Sequence, residues 1–252
     1  MLTLIFKQLK HRLPTASILL VLSCLFSTIP QFFLSGSYST FTGLFPPHTP
    51  WFWITLPSFT HSPGFLPVHM TGNLLVILFF GGLMEILIGT ARFSLMTLAT
   101  FTTTTLVSLL HYAGSGSIHG ASGICFGYHM FFLFFFIILM EEDRKRLLRS
   151  GTMLVLSGLF LFDLFGIPTV EVKVMGQRFF DNFGQTIHLV SYCTVLPFLL
   201  VWRRDLEEAV HALLRGEQAD TRHTGGPVPF LMLAMLLVLN LGATISAAAG
   251  VM

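Results

Sequence analysis

The chain has 252 residues, of which 53% are hydrophobic and only 10% charged, and its formal net charge is +2. A soluble domain carries about 25% charged residues, so this composition excludes an ordinary water-soluble fold. So small a net charge gives no basis for binding nucleic acid.

Lys7, Lys10 and Arg12 precede the first apolar run, as in a signal peptide, but no small-residue cleavage site interrupts that run before Leu34. The first segment therefore reads as a retained span. Seven segments, near 15–35, 67–90, 93–113, 122–140, 149–166, 183–202 and 229–249, are long and apolar enough to span or nearly span a bilayer core of ~30 Å. Residues 36–66 carry no Lys or Arg and hold Phe45, Pro46, Pro47, Pro50, Trp51 and Trp53, a composition suited to the headgroup interface. Residues 203–227 form a linker in which Asp205–Leu214 is expected to be a short helix ended by Arg215-Gly216. No soluble domain and no internal repeat is visible.

The positive-inside rule tests this map. With the N-terminus inside, Lys7, Lys10, Arg12, Arg92, Arg144, Lys145, Arg146, Arg149, Arg203, Arg204, Arg215 and Arg222 are all cytoplasmic, and only Lys173 and Arg178 fall outside. Twelve of the fourteen basic residues thus agree with seven spans, N-terminus in and C-terminus out.

Three polar spots interrupt the apolar segments: His69-Met70-Thr71-Gly72-Asn73, Gly120-Ala121-Ser122-Gly123, and His188. Polar side chains in hydrocarbon are costly and are functional candidates by default. A serine, a histidine and two further hydrogen-bond donors can supply the nucleophile, base and oxyanion stabilisers of acyl transfer. His69 and Asn73 are four residues apart and share a helix face; the competing reading is a polar pair tying helices together. Ser122 sits where a loop enters the fourth span, among the free N–H groups of a helix start. Taken alone it also reads as an N-cap. Gly123 and Gly127 give that helix a small face that a neighbour can approach closely. His188 is at mid-depth of a later span and can act as a general base or be a satisfied structural histidine. Phe126, one turn after Ser122, can stack on its ring or simply fill the core.

The remaining polar residues point elsewhere. Glu85 and Asp163 lie near span ends, where they are expected to bond neighbouring backbone or Arg92, and His61 reads as structural. His111, His119 and His129 show no His-Glu-x-x-His pattern and no accompanying carboxylate, so no metal and no cofactor is expected. Cys24, Cys125 and Cys193 lie in apolar segments at no metal-ligand spacing and read as small buried hydrophobes.

In order, His69-x-x-x-Asn73-Leu74, Phe80-Gly81-Gly82-Leu83-Met84-Glu85, Gly89, Gly120-Ala121-Ser122-Gly123 with Phe126, and Phe162-Asp163-Leu164-Phe165-Gly166 resemble the rhomboid family of intramembrane serine proteases over roughly residues 53–200. The resemblance implies Ser122 as nucleophile, His188 as general base, and an oxyanion hole of His69, Asn73 and the Ser122 N–H, supported by Gly120, Gly123 and Phe126. It further implies an all-α membrane protein with a six-helix core and one additional C-terminal transmembrane helix. The expected division is a cytoplasmic N-terminus at 1–14, the six-span core at 15–202, a cytoplasmic linker at 203–228 and the seventh helix at 229–252. Water would reach the site from the outer face, and substrate would enter sideways from lipid.

Two positions depart from the family pattern. The sixth helix of the family reads His-x-x-Gly-x-x-x-Gly, whereas here Ser191 and Val195 follow His188, and Val195 is expected to widen the lower half of the contact with the serine helix. The first-loop Trp-Arg pair is absent, since Ile54 follows Trp53. The implied function is a serine endopeptidase of membrane-anchored proteins, with transmembrane substrates and the lipid bilayer as partners and a bacterial inner membrane as its place. The alternative is a catalytically silent relative that binds transmembrane clients. A transporter would show repeated halves or broken helices around a midplane site, and neither is present.

Overall fold

The computed structural model describes residues 13–34, 70–112, 121–148, 151, 154, 155, 157, 158, 160, 161, 173, 174, 177, 178, 182–217 and 226–248. The expected interfacial loop at 36–66 and the Phe162–Gly166 motif lie outside these residues, as does most of the expected span at 149–166. Among the described residues the architecture is helical apart from one short antiparallel pair, β1 (Lys173–Val174) and β2 (Gln177–Arg178), with Lys173 opposite Arg178.

Helix α1 (Thr15–Leu34) begins directly after Pro14 and carries no acidic residue in its own first turn. Its free N–H groups are satisfied from another helix. The Glu85 carboxylate accepts the Ala16 N–H at 3.1 Å, the Ser17 N–H at 2.9 Å and the Ser17 hydroxyl at 3.0 Å. It also accepts the Thr90 hydroxyl at 2.8 Å. A carboxylate at a helix N-terminus meets both the orphan donors and the positive dipole end. Glu85 therefore bonds the backbone of a distant helix; Arg92 has other partners.

The next rod runs through three segments: α2 (Thr71–Leu75), a π-helix π1 (Val76–Gly81) and α3 (Gly82–Ile88). Gly89, at φ 85°, turns the chain into α4 (Thr90–Tyr112), a positive φ that favours glycine. Helix α4 is rich in threonine, yet its hydroxyls are accommodated in an apolar setting. Those of Thr100, Thr103 and Thr104 return to carbonyls of their own helix. Thr97 reaches the Tyr128 hydroxyl at 3.0 Å and Thr103 the Thr194 hydroxyl at 2.9 Å, tying α4 to its neighbours.

Helices α5 (Ser122–Leu148) and α6 (Asn182–Val201) form the most extensive helix pair among the described residues, and α4 lies against α6 as well. After Trp202 the chain bends by 79° into α7 (Arg203–Leu214), two residues earlier than expected. Leu206, Ala209, Val210 and Leu213 are buried, the i, i+3, i+4, i+7 stripe of an amphipathic helix. This stripe covers the ends of α3 and α5. Arg92 pins the bend by pairing with Asp205 and placing its guanidinium 5.2 Å from the centre of the Trp202 ring. The helix stops at Gly216, φ 74°, whose N–H donates to the Leu213 carbonyl at 3.0 Å while that of Glu217 donates to Ala212 at 2.9 Å, a Schellman motif. Arg215 lies 2.8 Å from the Glu217 carboxylate and holds it below the usual range.

Helix α8 (Val228–Ala248) packs on α1 and α4. Its buried Asn240 donates to Ser23 at 3.1 Å and to Ser27 at 2.5 Å, which gives two apolar helices a specific register. Among the described residues, Thr71–Ile88 and Ser122–Leu139 are each long and apolar enough to cross a membrane. The bent pair Thr186–Val201 with Arg203–Leu214 passes the same test when taken together.

Candidate active site

Ser122 is the first residue of α5, so its amide belongs to the first turn of a 27-residue helix. The seam between α5 and α6 starts one residue later. A Cβ on Gly123 would stand 3.1 Å from Ile187 Cγ2, the side chain immediately before His188. One turn on, the Phe126 ring lies face to face with His188, with centroids 3.4 Å apart and planes at 13°. Phe126 is thus a stacking partner, and the stack fixes the plane of the His188 imidazole. Next to Phe126 and one turn below Gly123, a Cβ on Gly127 would stand 3.1 Å from Val195 Cγ2.

That last contact corrects the expectation for the sixth helix. Val195 is fully buried and fills the space that Gly127 leaves, so the lower half of the seam is closed. Ser191, the other departure, is also fully buried and returns its hydroxyl to the Ile187 carbonyl at 2.7 Å. A small residue on one helix is enough for close approach when its partner lies opposite it.

Asn73 stands on the other side of α5. It is buried in α2, and its backbone carbonyl accepts the Cys125 thiol at 3.7 Å, three residues from Ser122. Below it, Gly81 closes π1 against α5, where a Cβ would meet Tyr128 Cε2 at 3.0 Å. Phe80 meets Phe132 edge-on at 4.8 Å. The i→i+5 spacing of π1 takes in more residues per turn than an α-helix. It changes the rotation of α2 relative to α3, with Asn73 facing inward while Leu75 and Phe79 are exposed. π-Helical turns inside α-helices are frequent at functional sites.

The structure therefore brings Gly123, Phe126 and His188 to one seam, with Ser122 next to Gly123 in the chain at the start of α5 and Asn73 beside Cys125 of the same helix. His69 and Gly120 lie outside the described residues. Asn73 and His188 are each 8% exposed, so both are held inside the helix assembly. No cluster of metal-ligating side chains occurs among the described residues.

Two residues that sequence reasoning did not join to the site lie directly beneath it. Tyr192, four residues after His188, is bonded through its hydroxyl to His129 Nδ1 at 2.8 Å. The spacings 188/192 and 126/129 place each pair on one helix face, a signal present in the sequence but legible only once α5 and α6 are known to be neighbours.

Residues 47–185 match the family model of the Rhomboid domain. No curated protein and no solved structure matches the chain.

Proposed function

The chain belongs to the rhomboid family, and on that premise we propose that it is an intramembrane serine endopeptidase working through a Ser122–His188 dyad. The family acts on membrane-protein substrates within the bilayer, and the apolar helices make this chain a multi-pass integral membrane protein. The observation that carries the proposal is the His188–Phe126 stack. It puts a buried, oriented imidazole on the helix packed against the one that Ser122 opens.

In this reading His188 takes the Ser122 hydroxyl proton as the oxygen attacks the scissile carbonyl. The resulting tetrahedral oxyanion is held by the Ser122 N–H and by the side chains of Asn73 and His69. His188 then gives the proton to the leaving amine. Water, deprotonated by the same imidazole, releases the acyl group and regenerates Ser122. Each oxyanion donor contributes through charge that develops only in the transition state, about 3–4 kcal/mol for a well-placed one. Gly120 and Gly123 are the supporting glycines on either side of Ala121-Ser122, Gly123 letting α6 approach at Ile187, and Phe126 keeps the imidazole in plane.

The proposed organisation is a six-helix core over 15–202 and a seventh helix at 229–252, joined by the cytoplasmic linker 203–228, with residues 1–14 also cytoplasmic. The proposed setting is a bacterial inner membrane, and neither a cofactor nor nucleic acid is required. Substrates enter from lipid, where the exposed apolar side chains Leu75 and Phe79 offer a surface for a transmembrane segment.

Labelling of the purified protein by a fluorophosphonate probe tests the chemistry without a substrate, because only an activated serine reacts. Ser122 is expected to label, slowly in His188→Ala and not at all in Ser122→Ala. A parent protein that does not label under conditions where it is folded favours the silent, client-binding relative.

A further inference from the structure

The dyad and its oxyanion donors leave two buried polar rings beneath them unused. His129 and Tyr192 are 8% and 3% exposed, on α5 and α6 respectively, and their Nδ1 and hydroxyl are 2.8 Å apart. Both rings stand nearly perpendicular to Phe126, at 5.8 Å and 68° for His129 and at 5.9 Å and 69° for Tyr192. One phenyl ring therefore carries the His188 imidazole on its face and touches both members of the hydrogen bond. Tyr192 is one turn from His188 on α6, and His129 is two turns from Ser122 on α5. The bond ties together the two helices that bring the proposed nucleophile and base.

Its mechanical role differs from that of the glycine seam above it. Methyl groups against Gly123 and Gly127 set how closely α5 and α6 approach, but van der Waals contacts tolerate sliding and rotation along the seam. A hydrogen bond is directional, and inside a low-dielectric assembly it is strong and costly to break. Held at 2.8 Å, it fixes the rotation of α6 about its axis one turn below His188. We infer that His129 and Tyr192 are positioning residues: their hydrogen bond clamps Phe126 and sets the α6 rotation at which the His188 ring meets Ser122. This inference rests on the protease reading above.

The test compares Tyr192→Phe, His129→Leu, the double variant, His129→Asn and Ser122→Ala in the full-length protein with a membrane-anchored substrate. The fluorophosphonate burst counts active sites, so kcat is expressed per labelled site and is independent of the folded fraction. Tyr192→Phe removes one oxygen and keeps the ring. It is expected to lower kcat roughly tenfold, as displacing a reacting group by a fraction of an ångström does, with KM unchanged. His129→Leu is expected to match it. The double variant should be no worse than either single, because both remove the same bond. His129→Asn, which keeps a donor and acceptor near the position of Nδ1, is expected to recover most of the rate. A lower melting temperature with parental kcat per site in both single variants would make the pair a packing element and overturn the inference, as would additive losses in the double variant. Should Ser122→Ala still cleave, the protease reading falls and takes this inference with it. An inert Ser122→Ala beside Tyr192→Phe and His129→Leu at parental kcat overturns the positioning role alone.

Discussion

Replacing Gly127 by alanine puts a methyl group into the tightest part of the seam. Its Cβ would stand 3.1 Å from Val195 Cγ2, 3.2 Å from Thr100 Cγ2 and 3.3 Å from Thr100 Oγ1. Neither neighbour can easily yield. Both are β-branched and stiff at χ1, and Thr100 is also held by a 2.9 Å bond from its hydroxyl to the Met96 carbonyl. The helices must part by a few tenths of an ångström, an over-packing that costs about 1–3 kcal/mol. Because Val195 is on α6, the displacement is transmitted to His188 two turns away. Gly127→Ala is therefore expected to lower the thermal unfolding midpoint in detergent and, separately, kcat per active site. Adding Val195→Ala removes the methyl in the way and should restore part of both. A Gly127→Ala protein with parental stability and turnover would show that the seam does not set the distance between the two helices.

Asn73→Ala is expected to reduce turnover by ~10²–10³, the usual effect of losing one oxyanion donor, with little change in substrate binding. The bond from Cys125 survives the substitution, because it uses the Asn73 backbone carbonyl; full turnover would return Asn73 to helix packing. Glu85→Ala strands the Ala16 and Ser17 amides at the buried start of α1, and each orphaned donor costs about 1–3 kcal/mol. Thermal unfolding should show a large loss, smaller in Glu85→Gln, which keeps one carbonyl acceptor.

The apolar runs of the sequence predicted helices, and α1, the α2–π1–α3 rod, α4, α5, α6 and α8 lie on six of them, because every backbone polar group in lipid must be bonded within its own segment. Phe126 was legible too, as an aromatic one turn from Ser122 at the level where a base must sit. What the sequence concealed is set by neighbours rather than by local pattern. Glu85 bonds residues 68 and 69 positions away, and nothing near it indicates that its partner is a helix start instead of Arg92. The π-helical register of Val76–Gly81 has no compositional mark; it accompanies the packing of Gly81 on Tyr128 and of Glu85 on α1. Val195 was misread because the small residue that accommodates it, Gly127, is on the opposite helix. The His129–Tyr192 bond joins two helices whose adjacency no single segment reveals.

Cleavage of a membrane-anchored substrate by the parent, Ser122→Ala, His188→Ala and the double variant, each checked for insertion and folding, tests the dyad most directly. An unactivated serine hydroxyl is a poor nucleophile, and groups that act as one unit are strongly non-additive. All three variants are expected to fall to the same background rate. A folded His188→Ala protein that cleaves as fast as the parent would contradict the mechanism.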